Sequence, residues 1–249
     1  MPGKSGIRLW AAGFWILLWQ LAAMALDQEL LLASPLRVLE SLTALALTGG
    51  FWAAAAGSLL RIGTGFLLAV VTGSALAALS ARFRWAEELL APLMTAVRAV
   101  PVASFIILAL ILFSARNLAV LISFLMVLPV FYFNTLEGIR AVDRELLEMA
   151  RVFRIPVGRR LRYLYLPRIF PHFRSACDVG VGMSWKSGVA AEVIGVCSGS
   201  IGEHLYNAKV YLETPELLAW TLTVILLSLL CQRLLKGLLE RLRQLTERI

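Results

Sequence analysis

RAVDRELLEMARVFRIPVGRRLRYLYLP, residues 140–167, is a long polar interruption in an otherwise apolar chain, and its reading decides the fold. Leu146, Met149, Ala150 and Phe153 recur at i, i+3, i+4 and i+7, which predicts one apolar stripe on a short helix. Asp143 and Glu145 stand in its first turn, where acids favour a helix N-terminus. Pro156 disfavours helix at Ile155, so the helix is expected to stop there. A second, basic helical turn with Val157, Leu161 and Leu164 on one side is expected to follow, closed by Pro167. The segment is too charged and too short to cross lipid, yet its apolar face needs a partner. A helix pair of this kind, held between two spanning segments, suits docking on another protein.

The spacing is Glu148-Met149-Ala150, three residues, Arg154, nine residues, then Leu164-Tyr165-Leu166-Pro167. It resembles the cytoplasmic loop of ABC importer membrane subunits, whose pattern is E-A-A, three residues, G, nine residues, I-x-L-P. Met149, Arg154 and Leu164 depart from it. Arg154 matters most, because glycine permits a left-handed turn that arginine adopts only at a cost. Arg98-Ala99-Val100-Pro101, Asn134-Thr135, Gly138 to Asp143, Ala190-Ala191-Glu192 and Gly202 are similar to the nitrate/sulfonate/taurine branch, over about residues 98–239. The resemblance implies an all-α membrane protein with about six transmembrane helices, and a coupling-helix loop between the fourth and fifth, as in type I importers. It implies that Leu146, Glu148, Met149, Ala150, Arg151, Phe153, Arg154 and Gly158 couple to an ATPase. Ala150 is small within the stripe, so an aspartate there is expected to detach the ATPase while the membrane domain still folds.

Composition agrees with a membrane protein. The chain of 249 residues is 59% hydrophobic and only 16% charged, well below the quarter usual in soluble domains. A net charge of +8 raises the question of nucleic acid, and the distribution of charge answers it. Outer segments hold only Arg37, Arg61, Arg116 and Lys209, and Arg98 and Lys186 stand at membrane level. Every other Lys or Arg falls on an expected cytoplasmic segment, as the positive-inside rule requires. Cys177, Cys197 and Cys231 are widely spaced and apolar in setting, without a disulfide or metal pattern.

A first helix is expected over about residues 7–26, left uncleaved, because its apolar run exceeds a signal-peptide core. Outside it, Ser34-Pro35 reads as N-cap and N1 of an amphipathic helix carrying Leu36, Leu39 and Leu42. The second span covers about residues 51–81, with Gly65, Ala69, Gly73, Ala77 and Ala81 as a small-residue stripe for close helix packing. Pro101 kinks or starts a third crossing over about 102–113, either as a hinge or as an ordinary membrane-helix proline. A fourth span covers about 118–136, a fifth about 173–196, and the last about 216–230. Residues 51–239 form the core of a single permease domain covering 1–249, with both termini cytoplasmic in a bacterial inner membrane. Residues 180–187, GVGMSWKS, imitate a phosphate-binding loop, but no strand precedes them.

Asp178, Lys186 and Glu192 are ionisable groups in or beside the fifth span, expensive unless they face protein or water. Lys186 and Glu192 lie about 240° apart round a helix and need not pair. At least one is expected to line the solute path or a dimer interface, with a structural interhelical bond as the alternative. By the resemblance, two such permease subunits, as a homodimer, form the path for a small anionic solute. Two ATP-binding subunits carry ATP and Mg below, and an external binding protein delivers solute above. This chain then holds no catalytic residue, cofactor or metal and contacts lipid, not nucleic acid. The rivals are an ion-coupled secondary transporter relaying through Asp178, Lys186 and Glu192, and a membrane enzyme, for which no nucleophile–base set is present.

Overall fold

In the computed structural model, which describes residues 9–26, 28 and 30–247, every regular element is helical. In chain order these are α1 (Leu9–Leu26), α2 (Pro35–Ala46), α3 (Gly49–Arg82), α4 (Arg84–Ala99), α5 (Val102–Leu112), α6 (Ala115–Arg140), α7 (Arg144–Val152), α8 (Val157–Arg160), α9 (Leu166–Gly195), α10 (Ile201–Val210) and α11 (Thr214–Glu247). A π-helical turn, Leu161–Tyr165, joins α8 to α9. Lys4, Arg8, Asp27 and Arg248 lie outside the described residues.

The core is α6 between α3 and α9. The expected small-residue stripe explains the first contact. A Cβ on Gly65 would collide with the Val120 carbonyl oxygen, and one on Gly73 would stand 2.9 Å from that of Leu128. Ala69 and Ala77 are fully buried, whereas Ala81 is exposed. Gly188 plays the same part on α9, where a Cβ would fall 2.6 Å from Ser123 Oγ. In lipid, hydrophobicity does not drive helices together, so close backbone approach and van der Waals contact must. Buried hydrogen bonds support it, the Tyr132 hydroxyl donating to Ser80 Oγ at 2.9 Å and Ser123 to the Ser184 carbonyl at 3.2 Å. Residues 180–187 lie inside continuous α9, which removes any phosphate-loop geometry.

Among the described residues, α3, α6 and the Thr214–Arg241 part of α11 are long and apolar enough to cross a bilayer singly. The α4–α5 pair passes together but bends by 102°, as a broken span or re-entrant loop. The stretch expected as the third crossing, about 102–113, is too short to cross alone. α5 has 11 residues, or about 16 Å at 1.5 Å per residue, half of the ~30 Å hydrocarbon core. Pro101 sits in the break as N-cap of α5, so it interrupts the chain instead of kinking one long helix. Pro167 also differs from expectation. It lies in the first turn of α9, and the helical run continues through it from α8. Proline suits a first helical turn, and the widened π turn just before it relieves the ring's clash with the preceding backbone.

Ser34 caps α2 as expected, accepting from Arg37 N at 3.4 Å. Its packed face is Val38, Leu42 and Leu45, while Leu36 and Leu39 point outward. α1 touches the rest mainly through α2, with Trp19 Nε1 donating to the Ala33 carbonyl at 3.1 Å.

Candidate functional site

The polar loop is held at both ends by ion pairs. Arg140, closing α6, meets Glu87 of α4, and Arg168 at the start of α9 meets Asp143, the N-cap residue of α7, at 2.8 Å. Arg174 with Glu240 at 3.1 Å ties α9 to α11 at the same end of the bundle. These pairs are exposed and individually weak. Together they fix where α7 leaves the membrane domain.

α7 ends in a Schellman turn. Ile155 N donates to the Ala150 carbonyl at 2.9 Å and Arg154 N to that of Arg151 at 3.0 Å, with Arg154 at φ 50°. Arginine thus adopts the left-handed conformation expected of the family's glycine, so the turn survives the substitution at a strain cost. The helix stops at Val152, three residues before Ile155.

The turn rotates the apolar stripe away from its expected use. Ala150 is fully buried within this chain and Leu146 is half-buried. Met149, Val152 and Phe153 face outward, Val152 and Phe153 at 78% and 74% exposure, and Val157 and Leu161 continue the apolar surface beyond the turn. Ala150 is therefore an internal packing residue, and an aspartate there would break this chain's own fold before it tested any partner. Val152 is the exposed member that the spacing missed. Glu148, Arg151 and Gly158 are exposed, and Glu148 has no ion-pair partner among the described residues, including Arg151.

The three ionisable residues of α9 do not come together. Glu192 is fully buried near the end of the bundle opposite the polar loop, accepting from Ser58 Oγ at 2.6 Å and Arg61 Nε at 2.9 Å. The Gly202 amide donates to the same carboxylate at 3.4 Å, and Arg61 also donates to the Gly199 carbonyl at 3.3 Å. Glu192 is thus tied among α3, α9 and α10, the interhelical bonding expected as the alternative to a place on the path. Nothing in the spacing of Ser58, Arg61 and Glu192 connects them, since they lie 131 and 134 residues apart. Asp178 pairs with Lys236 of α11 at 3.3 Å, and its carbonyl accepts from Gln232 at 2.9 Å. Lys186 alone is exposed and unpartnered among the described residues. A relay of protons or cations through the three has no geometric basis.

At the same end, Ser200 caps α10 by accepting from Glu203 N at 3.0 Å, and Glu203 reaches back to accept from Gly199 N at 2.6 Å. His204 stacks on Trp220 at 4.5 Å, and Trp220 donates to Glu216 at 3.1 Å. Glu216, by hydrogen bond and by charge, raises the Glu213 carboxyl above its ordinary value. A groove of about 320 Å³ between α3, α9 and α11, lined by Ile62, Phe66, Trp185 and Leu235, is almost wholly apolar and offers a charged solute nothing to bind. No cluster of His, Cys, Asp and Glu suited to a metal occurs among the described residues.

The family model for the binding-protein-dependent transport system inner membrane component matches residues 65–244. A probable ABC transporter permease protein of Brucella abortus is 29% identical over 237 residues, covering 95% of this chain and 92% of that protein. The taurine transport system permease protein of Escherichia coli is 26% identical over 230 residues, 90% of this chain and 83% of that one. The bicarbonate transport system permease protein of Synechococcus elongatus is 29% identical over 155 residues, 62% and 55% of the two chains.

Proposed function

The chain belongs to the binding-protein-dependent transport system inner membrane component family, and from that premise we propose how it assembles, what it carries and which residues it uses. It is a multi-pass permease subunit of an ABC importer, not itself catalytic, with ATP bound by a partner ATPase. The finer reading is a homodimer whose subunits each cross the inner membrane six times, through α1, α3, the α4–α5 pair, α6, α9 and α11, with both termini cytoplasmic. Its solute is a small anion handed over by an external binding protein. The relatives named for taurine and for bicarbonate favour such a solute. Lys186 lines the path, because an exposed ammonium at bilayer depth needs water or protein beside it. Pro101 serves as the hinge between α4 and α5.

One observation carries the coupling assignment. α7 presents Met149, Val152 and Phe153 as an exposed apolar row, on a loop held among α4, α6 and α9 at their polar end. A groove on the ATPase is the partner that fits, with Glu148, Arg151, Arg154 and Gly158 around the row. Val152→Asp and Phe153→Asp place a charge on the docked face without touching this chain's core. An unpaired charge buried there costs about 2–5 kcal/mol. Both variants are expected to insert and fold, lose the ATPase in pull-downs, and lose hydrolysis stimulated by the binding protein. Retention of the ATPase and of stimulated hydrolysis by both would sink the coupling role of this loop.

A further inference from the structure

The ion pairs of the spanning helices mark two depths, Arg61–Glu192 toward the outer end and Asp178–Lys236 toward the cytoplasmic end. Lys186 and Arg98 lie between those depths. Both are exposed, and neither has a hydrogen-bond or ion-pair partner among the described residues. Lys186 is level with Ser123 of α6, which touches Ser184 and Gly188, but faces the opposite side of α9. Arg98 lies one turn before the α4–α5 break. Val102 and Phe105, just beyond the break, pack with Ile122 and Met126 near the middle of α6 and with Met183 of α9. The break that follows Arg98 is thus level with Met183, about one helical turn of 5.4 Å from Lys186.

The surroundings leave their charge unanswered. α5, α6 from Asn117 to Leu136, and α9 from Val179 to Ala191 carry no acidic side chain. On α9, Ser175, Val179, Gly182 and Lys186 form one exposed row, and a Cβ on Gly182 would meet nothing within 4 Å. Met183 and Ala190, on the flank of that row, pack in the cluster built on α5. The bilayer penalises an ammonium or guanidinium facing hydrocarbon, so this row and the break face water or a second subunit.

We infer that Arg98 and Lys186 form a cationic step in the solute path that takes small oxyanions: sulfonate, carboxylate or an inorganic anion of similar size. Arg98 offers a planar fork that matches two oxygens at once, and Lys186 a compact point charge farther out. Two such separate groups pass an anion along without closing on it. The inference rests on the reading of this chain as the path-forming subunit, and its test separates the two.

The potential at each position is read without knowing the solute, using thiol reagents of opposite charge on the intact assembly with its ATPase. Lys186→Cys and Arg98→Cys are modified with anionic 2-sulfonatoethyl and cationic 2-trimethylammonioethyl methanethiosulfonate, each rate normalised to that of free cysteine. The wild type, whose Cys177 and Cys197 are buried, provides the blank. A cationic cleft concentrates anions tenfold or more. The anionic reagent is therefore expected to react at least about tenfold faster at either position, and the preference to shrink severalfold at Lys186→Cys when Arg98→Gln is added. Lys186→Gln is expected to act likewise on Arg98→Cys. Reaction with neither reagent at both positions would show that no water-filled path reaches them and overturn the path reading itself. Equal normalised rates, or a preference untouched by the second substitution, would overturn the cationic step and leave the path reading standing.

Discussion

Arg154 at φ 50° and the buried Glu192 are two residues where local chemistry and tertiary demand conflict openly. A left-handed non-glycine residue costs about 1–2 kcal/mol, and the Schellman bonds at Arg154 N and Ile155 N hold it there. Arg154→Gly is expected to stabilise the α7 turn by about 1 kcal/mol, read as slower amide exchange at Arg154 and Ile155. Faster exchange would show that the arginine side chain, not the backbone, sets this turn. Glu192 poses the opposite problem, a carboxylate with no exposure that depends on Arg61 and Ser58. Removing one partner of a buried pair costs about 3–5 kcal/mol because the other charge is stranded. Arg61→Met is expected to lower the thermal stability of the purified protein sharply. Adding Glu192→Gln is expected to recover part of the loss, since a neutral amide still bonds Ser58. A double variant less stable than Arg61→Met would refute the stranded-charge account.

At the scale of elements, α3 and α6 depend on glycine for proximity, not for flexibility. Gly65 and Gly73 bring backbones so close that a Cβ would run into carbonyl oxygens, which cannot rotate away as a side chain can. Gly65→Val is therefore expected to separate the two helices and abolish stable insertion. The same change at Gly63, two residues away with open space around it, is expected to be tolerated. Detergent-extracted yield and melting temperature measure both, and equal behaviour of the pair would remove the close-packing explanation. α7 shows how a turn can reassign a helix face. Its stripe is correct as a period, but the anchor at Asp143 and the Schellman turn direct Ala150 inward, leaving Met149, Val152 and Phe153 outside.

For the whole molecule, the proposed topology places α2 and α10 outside and the α7–α8 loop inside. Single cysteines at Ser34 or Asn207, with native cysteines replaced, are expected to react with impermeant thiol reagents from the outer side. A cysteine at Gly158, exposed on the loop, is expected to react only after the membrane is opened. Outer-side reaction at Gly158 would invert the topology and with it the ATPase assignment. Charge already argues for this orientation, since Lys and Arg concentrate on the segments assigned to the cytoplasm.

Membrane character, helical class, the family-type loop and the α3 packing stripe were legible from residue types and periods, because each depends on neighbours a few positions apart. The cap at Ser34 and the left-handed need at position 154 were legible for the same reason. The 102° break at Pro101, the rotation of α7 and the partners of Asp178 and Glu192 were not. A proline permits a kink or a break equally, and only the seat of Val102 and Phe105 against α6 and α9 selects the break. The Arg61–Glu192 contact joins residues 131 apart, and a one-dimensional period carries no signal over that distance. The tertiary structure alone decided which ionised groups are paired within the chain and which, Lys186 and Arg98 among them, have no partner among the described residues.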